Sequence, residues 1–189
     1  MSYVFLLFLW NCGGDGTPTA PTPTPTPVAT SITLSVASLS FASPGVTSQL
    51  SAWEGLLEGA KAKDVLHHEN RQPNTRSYFW APTGTPGTGW TYHTWVNGKS
   101  AVNLYINTGD RHEPKRIFDL LYADRSEIES AFGEPLDWER YDEKTASRIQ
   151  HKFNGSFQSP EDDWPEIQDE LINCMDRLVA SIGPHLSKV

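Results

Sequence analysis

The chain has 189 residues, with 15 Lys and Arg against 23 Asp and Glu, a formal net charge of −8. That balance weighs against sequence-blind binding of nucleic acid, which needs many unpaired cations facing phosphates, and leaves room only for a local basic strip. Two cysteines, Cys12 and Cys174, lie far apart in unlike contexts and do not make a disulfide framework.

The charge is unevenly spread. Before Trp53 the only charged side chain is Asp15, and every Lys and Arg follows Trp53. The chain opens on an apolar run, Tyr3 to Trp10, too short to cross a bilayer as a helix. Cys12-Gly13-Gly14-Asp15 resembles the start of a mature bacterial lipoprotein, which makes Cys12 a candidate lipidation site and residues 1–16 a cell-envelope leader. The pattern departs from that signal at Asn11, where a small residue is usual, and in having no basic residue ahead of the run. Residues 17–30 are a Thr-Pro linker that stays extended, because proline fixes φ and removes donors. In residues 31–52, Ile32, Leu34 and Val36 alternate with polar residues and Pro44-Gly45 signals a turn. This piece resembles the first strands of a bacterial immunoglobulin-like domain of the invasin/intimin group, truncated far short of a sandwich.

From Trp53 the pattern becomes that of a folded domain, residues 53–189. Trp53, Leu56, Leu57 and Ala60 have helical spacing. Residues 81–89, APTGTPGTG, form a loop by composition. WTYHTWV and KSAVNLYIN flank Asn97-Gly98, a strong hairpin signal. A two-residue turn there sets His93 opposite Val102 and Trp90 opposite Tyr105. Val102, Leu104 and Ile106 then face the core, and Trp90, Tyr92, Asn103 and Tyr105 share the other face. Asp110 with Glu113 opens a helix buried through Ile117, Leu120 and Leu121, and Asp124 with Glu127 opens another that Gly133 ends. Two strands follow around a turn near Asp142. A last helix begins between Ser159 and Pro165, carries Ile167, Leu171, Cys174, Leu178 and Ile182 on one stripe, and stops at Gly183-Pro184. The order predicts an α+β domain with helices packed on one face of a mostly antiparallel sheet.

The segments WEGLLEGAKAKD, AVNLYINTGDRHEPKRIFDLLYADRSEIESAFGEPLDWERYDEKTASRIQHKF and WPEIQDELINCMDRLVASIGPHL resemble the domain-of-unknown-function family 4268. The resemblance implies an intracellular, cytoplasmic body and an association with nuclease-like domains, and it brings no activity with it.

The chemistry legible in the residues is that of binding. Asn97-Gly98-Lys99-Ser100 lacks the earlier glycine and the following helix of a phosphate loop. The six histidines have no metal-ligand spacing, so no metal and no cofactor is expected. Cys174 sits on an apolar helix stripe as a structural thiol. Asp137 and Glu139 share a strand face and pair across it with Arg148 and Lys152, which leaves no residue assigned a catalytic role. The candidate binding residues are the aromatic face of Trp90, Tyr92 and Tyr105, together with Arg140, Lys144 and Arg148, of which Arg140 and Lys144 are the freer cations. Aromatic faces beside cations suit single-stranded nucleic acid or a protein partner. The expected function is a non-catalytic accessory or interaction module. The alternatives are a cell-envelope lipoprotein with a ligand-binding body, which meets a membrane only through lipid on Cys12, and a cryptic nuclease-related enzyme.

Overall fold

The computed structural model describes residues 44–189, with side chains from Ser48 onward; the leader, the Thr-Pro linker, Cys12 and residues 31–43 of the immunoglobulin-like piece lie outside the described residues. Four helices and five strands follow one another as α1 (Pro44–Ala62), β1 (Tyr78–Pro82), β2 (Thr88–Thr94), β3 (Lys99–Ile106), α2 (Glu113–Ala123), α3 (Arg125–Phe132), β4 (Asp137–Glu139), β5 (Ser147–Asn154) and α4 (Trp164–Leu186). All strand pairs are antiparallel, in the order β1-β2-β3-β5-β4. The α+β architecture expected from the pattern is the one observed.

The first helix starts earlier than the spacing from Trp53 suggested. Pro44 stands at its first position, where a fixed φ suits the helix and the missing N–H goes unused. A Pro-Gly pair that signals a turn in a strand-rich context is here a helix start, so residues 44–52 belong to α1 and not to an immunoglobulin-like strand. Ala52 is fully buried and its carbonyl accepts a hydrogen bond of 2.9 Å from Gln168 Nε2 of α4. Trp53 is equally buried. It stacks on Phe79 at 5.4 Å and meets the edge of Phe157 at 5.0 Å, while its Nε1 donates to Arg76 O at 3.0 Å.

The spine of the helical layer is α4, which packs on β2 and β3 with α1 and α3 against it. Its buried stripe runs from Trp164 through Leu171, Cys174 and Leu178 to Leu186, past Pro184. The expected stop at Gly183-Pro184 does not occur. Pro184 forfeits one backbone hydrogen bond, but burial of Leu186 and a 2.7 Å contact from His185 Nδ1 to Asp124 hold the last turn in place. That contact also changes the reading of Asp124. Its carboxylate makes no cap to α3 and instead binds His185 and Lys188. Asp110 lies two residues ahead of the N-cap of α2, His112, which makes no side-chain cap, and its carboxylate accepts from the backbone N–H of His112 and Glu113 at 2.7 and 2.8 Å. Leu120, expected in the α2 stripe, is exposed, and Phe118 is buried there.

The register of the β2–β3 hairpin differs by one residue from a two-residue turn. Trp95 N–H donates to Lys99 O at 2.8 Å, closing a loop of Val96, Asn97 and Gly98, with Gly98 in the left-handed region at φ 76°. Asn97-Gly98 marks the hairpin correctly but as part of a three-residue loop, whose last position takes glycine. Tyr92 therefore lies opposite Val102 and Trp90 opposite Leu104. Because strand side chains alternate, that single step turns Trp90 and Tyr92 into the core, where they are 4% and 1% exposed. The aromatic face predicted from Trp90, Tyr92 and Tyr105 does not form. Only Tyr105 stays on the far side.

The core also holds a histidine. His68 packs on Tyr92 at 4.6 Å and Phe79 at 5.6 Å, and its Nε2 lies 3.1 Å from Trp90 O. A carbonyl can only accept, so Nε2 carries a proton, and burial keeps the ring neutral near pH 7. Burial pushes its pKa down to about 4. The unfolded chain takes up that proton near the ordinary 6.5, so stability falls as pH drops from 6.5 to 4, and the loss is complete below 4. Chemical denaturation across this window is expected to show the acid limb, and His68→Gln, which keeps a donor for Trp90 O, to flatten it. Trp53→Ala is expected to cost about 3–5 kcal/mol. Gly98→Ala meets no neighbour within 4 Å, so its cost of about 1–2 kcal/mol is that of the backbone alone. Both are read as shifts in denaturant midpoint.

Candidate functional site

Among the described residues the helices cover one face of the sheet and leave the other open. Strand alternation and the observed register put Tyr78 and Trp80 of β1, Thr91 and His93 of β2, Asn103 and Tyr105 of β3, and Arg148, Gln150 and Lys152 of β5 on the open side. A hollow of about 560 Å³ lies there, between Arg76, Tyr78 and Trp80 at one side and Tyr105 and Arg148 at the other, over Thr91, His93 and Asn103. Its volume is that of a small-ligand cleft.

Its rim is aromatic and cationic. Tyr78 and Trp80 are 38% and 39% exposed. Trp80 lies flat over Gly89, where a β-carbon would fall 1.8 Å from the indole Nε1. Glycine at that position is therefore what lets the indole rest on the strand. Arg71 covers the Trp80 ring at 5.0 Å, Arg76 covers Tyr78 at 5.6 Å, and the Arg148 guanidinium lies 5.5 Å above Tyr105. Arg76 Nη1 also donates to the Tyr78 hydroxyl at 2.5 Å. His93 packs on Trp95 at 4.2 Å. Burial first, and the Arg148 charge second, push His93 down to about 4, so its ring is neutral near pH 7.

The floor is polar and unsatisfied. Thr91, Asn103 and Gln150 are register partners on three adjacent strands, 6%, 1% and 1% exposed. Thr91 Oγ1, both amide atoms of Asn103, Gln150 Oε1 and Arg148 Nε are buried without a hydrogen-bond partner in the protein. Each such group is costly when left unpaired. Four of them belong to residues that line the hollow, and Gln150 is the register partner of Asn103 on the next strand.

The expected division of charge holds for Lys152 and Lys144 and changes at Arg148 and Arg140. Lys152, not Arg148, takes the strand carboxylates, at 3.1 Å from Asp137 and 2.9 Å from Glu139. Arg148 sits directly opposite Glu139 in register but turns toward Tyr105 on the neighbouring strand. Among the described residues Arg148 has no ion-pair partner. Arg140 lies beyond the end of β4 and is bidentate to Asp119 at 2.8 and 3.0 Å, with Asp142 as a further partner. Lys144 is exposed over the Tyr141 ring at 4.1 Å. Neither Arg140 nor Lys144 lines the hollow, so the every-fourth-residue spacing of cations does not become one stripe; a turn interrupts it.

Two other sites are less open to a ligand. A hollow of about 710 Å³ beside α2 is lined by Arg111, His112, Lys115, Arg116 and Arg140. Its cations are largely engaged: Arg116 binds Glu113 at 2.5 Å, and Lys115 Nζ donates to Arg140 O, Ala146 O and Ser147 Oγ at 2.6, 2.7 and 3.0 Å. Asp124, Glu127 and His185 bring ligand atoms within 4.8 Å of one another, a grouping that no local spacing announced. Lys188 Nζ already lies 2.6 Å from the Asp124 oxygen that His185 contacts, so a protein cation neutralises that carboxylate. Cys174 is buried, and burial raises its pKa to about 11, leaving a neutral thiol that donates to Glu170.

The family model described as Domain of unknown function (DUF4268) matches residues 48–186. The chain belongs to the DUF4268 family. No curated protein and no solved structure matches it. The match begins inside α1, so residues 48–52 are part of the DUF4268 domain, in agreement with the helix start at Pro44.

Sequence reasoning missed Arg76, Tyr78, Trp80, Thr91 and His93. The signal was present in Tyr78-Phe79-Trp80-Ala81, whose alternate members are exposed and buried. Pro82 beside it suggested a loop, but proline is tolerated at the end of an edge strand.

Proposed function

We propose that this DUF4268 chain is a non-catalytic interaction module that binds single-stranded nucleic acid on the open face of its sheet. The observation that carries the reading is the cluster of buried, unpartnered polar atoms beneath a rim of exposed rings and an unpaired guanidinium. Rings offer stacking to any base, and the guanidinium offers a phosphate contact. The resemblance to a family associated with nuclease-like domains points the same way. The nuclease-related reading is weaker, because Lys152 holds both Asp137 and Glu139, so that pair is not free for a metal-dependent cleavage.

In an acidic domain such binding uses few phosphates. With Arg76 and Arg148 as the two cations at the mouth, the logarithm of the association constant is expected to fall with the logarithm of salt at a slope of about −1.4. Trp80→Ala and Tyr105→Ala are each expected to weaken binding by about 1–3 kcal/mol. Anisotropy titrations of labelled single-stranded DNA and RNA of mixed sequence, from low to physiological salt, measure both. Absence of binding to either nucleic acid at low salt overturns the reading, as does Trp80→Ala binding like the wild type. Capture of extended peptides on the same face in its place would make the partner a protein.

A further inference from the structure

We infer that the open face reads the edge of one unstacked base, with Asn103 as the reader, and does not merely stack on the strand; this rests on the single-strand reading above. A sequence-blind stacking platform needs rings and cations, and its floor can be apolar. The floor here is not apolar. Asparagine is disfavoured in strands, yet Asn103 occupies the central strand of the sheet with Thr91 and Gln150 as its lateral neighbours. Its amide is 1% exposed and lines the hollow with neither Nδ2 nor Oδ1 satisfied.

An amide presents one donor and one acceptor side by side in a plane. That is the complement of the adjacent donor and acceptor on the hydrogen-bonding edge of a base, and side-chain amides pair with bases in this bidentate way. Thr91 Oγ1, which also lines the hollow, adds a hydroxyl. Arg148 Nε adds a donor at the wall. The neutral His93 ring adds no charge to the floor. Trp80 and Tyr105 both line the hollow, where their rings can meet a base that enters edge first, and the remaining guanidinium nitrogens of Arg148 are left for the phosphate.

A site that pairs buried polar groups discriminates strongly, because a wrong base leaves them unpaired. The test uses the full chain and four oligonucleotides of abasic linkers, each with a single central A, C, G or T. Dissociation constants are expected to spread at least tenfold across the four bases in the wild type. Asn103→Ala is expected to collapse the spread, and Asn103→Asp, which keeps the shape and removes the donor, to reorder the preference. Trp80→Ala is expected to weaken all four alike. Thermal melts accompany each variant, and Asn103→Ala is expected to melt no lower than the wild type, since it removes an unpaired buried amide. Four bases bound equally within twofold by the wild type, with binding still dependent on Trp80, overturn the inference and leave the single-strand reading standing. The same holds if Asn103→Ala keeps the full spread. If none of these probes and no mixed-sequence strand binds, both readings fail.

Discussion

Gly98 at φ 76° is the constraint on which the rest of the molecule depends. The left-handed residue at the end of the β2–β3 loop makes the loop three residues long and sets Trp90 against Leu104. With the register fixed there, alternation alone decides the two faces of the central strands. Trp90, Tyr92, Val102, Leu104 and Ile106 face the helices, and Thr91, His93, Asn103 and Tyr105 face away. A slip of one residue with β3 held in place would turn Thr91 and His93 under the helices and expose a tryptophan and a tyrosine. The burial of large aromatic side chains and the placing of the polar row are thus one choice, made at a turn far from either.

The helical layer answers to the same face. α4 lies on β2 and β3 and carries α1 and α3 on its flanks. Trp53 joins three parts of the chain that are distant in sequence, through Phe79 of β1, Phe157 and the carbonyl of Arg76. Since Arg76 is also at the mouth of the hollow, the packing of α1 reaches the rim through that residue's own backbone. One side of the sheet is closed by burial, and the other is kept open by what stands on it. The open side keeps charged and aromatic side chains that pair mainly with one another, by cation–π contact and by the Lys152 ion pairs.

Much of the architecture was legible in the sequence, and the reasons are particular. The α2, α3 and α4 stripes repeat at helical spacing, and Gly133 ends α3 in the left-handed conformation expected of it. Asn97-Gly98 located the hairpin. What the residues could not show was the loop length, because a two-residue and a three-residue turn use the same pair and differ only in backbone geometry. The candidate site inherited that ambiguity. Of the candidate residues Tyr105 and Arg148 line the hollow, while Trp90 and Tyr92 lie on the other face of the sheet. Arg148 was expected to be neutralised and is not, because a direct register partner does not oblige a side chain to point at it. Trp80 went unnoticed because β1 hides beside a Pro- and Gly-rich loop, and His93 because a two-residue turn sets it opposite the core-facing Val102. The polar row itself is a property of three strands at once, and no local window of sequence contains it.

β1 has a consequence for how such a domain diverges. Its residues serve two masters in strict alternation: Phe79 and Ala81 are 1% exposed in the core, while Tyr78 and Trp80 stand in the open. Under the proposed function, stability and recognition are written on interleaved letters of one short edge strand. Substitution at 78 or 80 can change what the surface prefers at little cost to folding, and substitution at 79 tests the fold with little direct effect on the surface. A lineage can retune its partner here one residue at a time, without a neutral detour through the core.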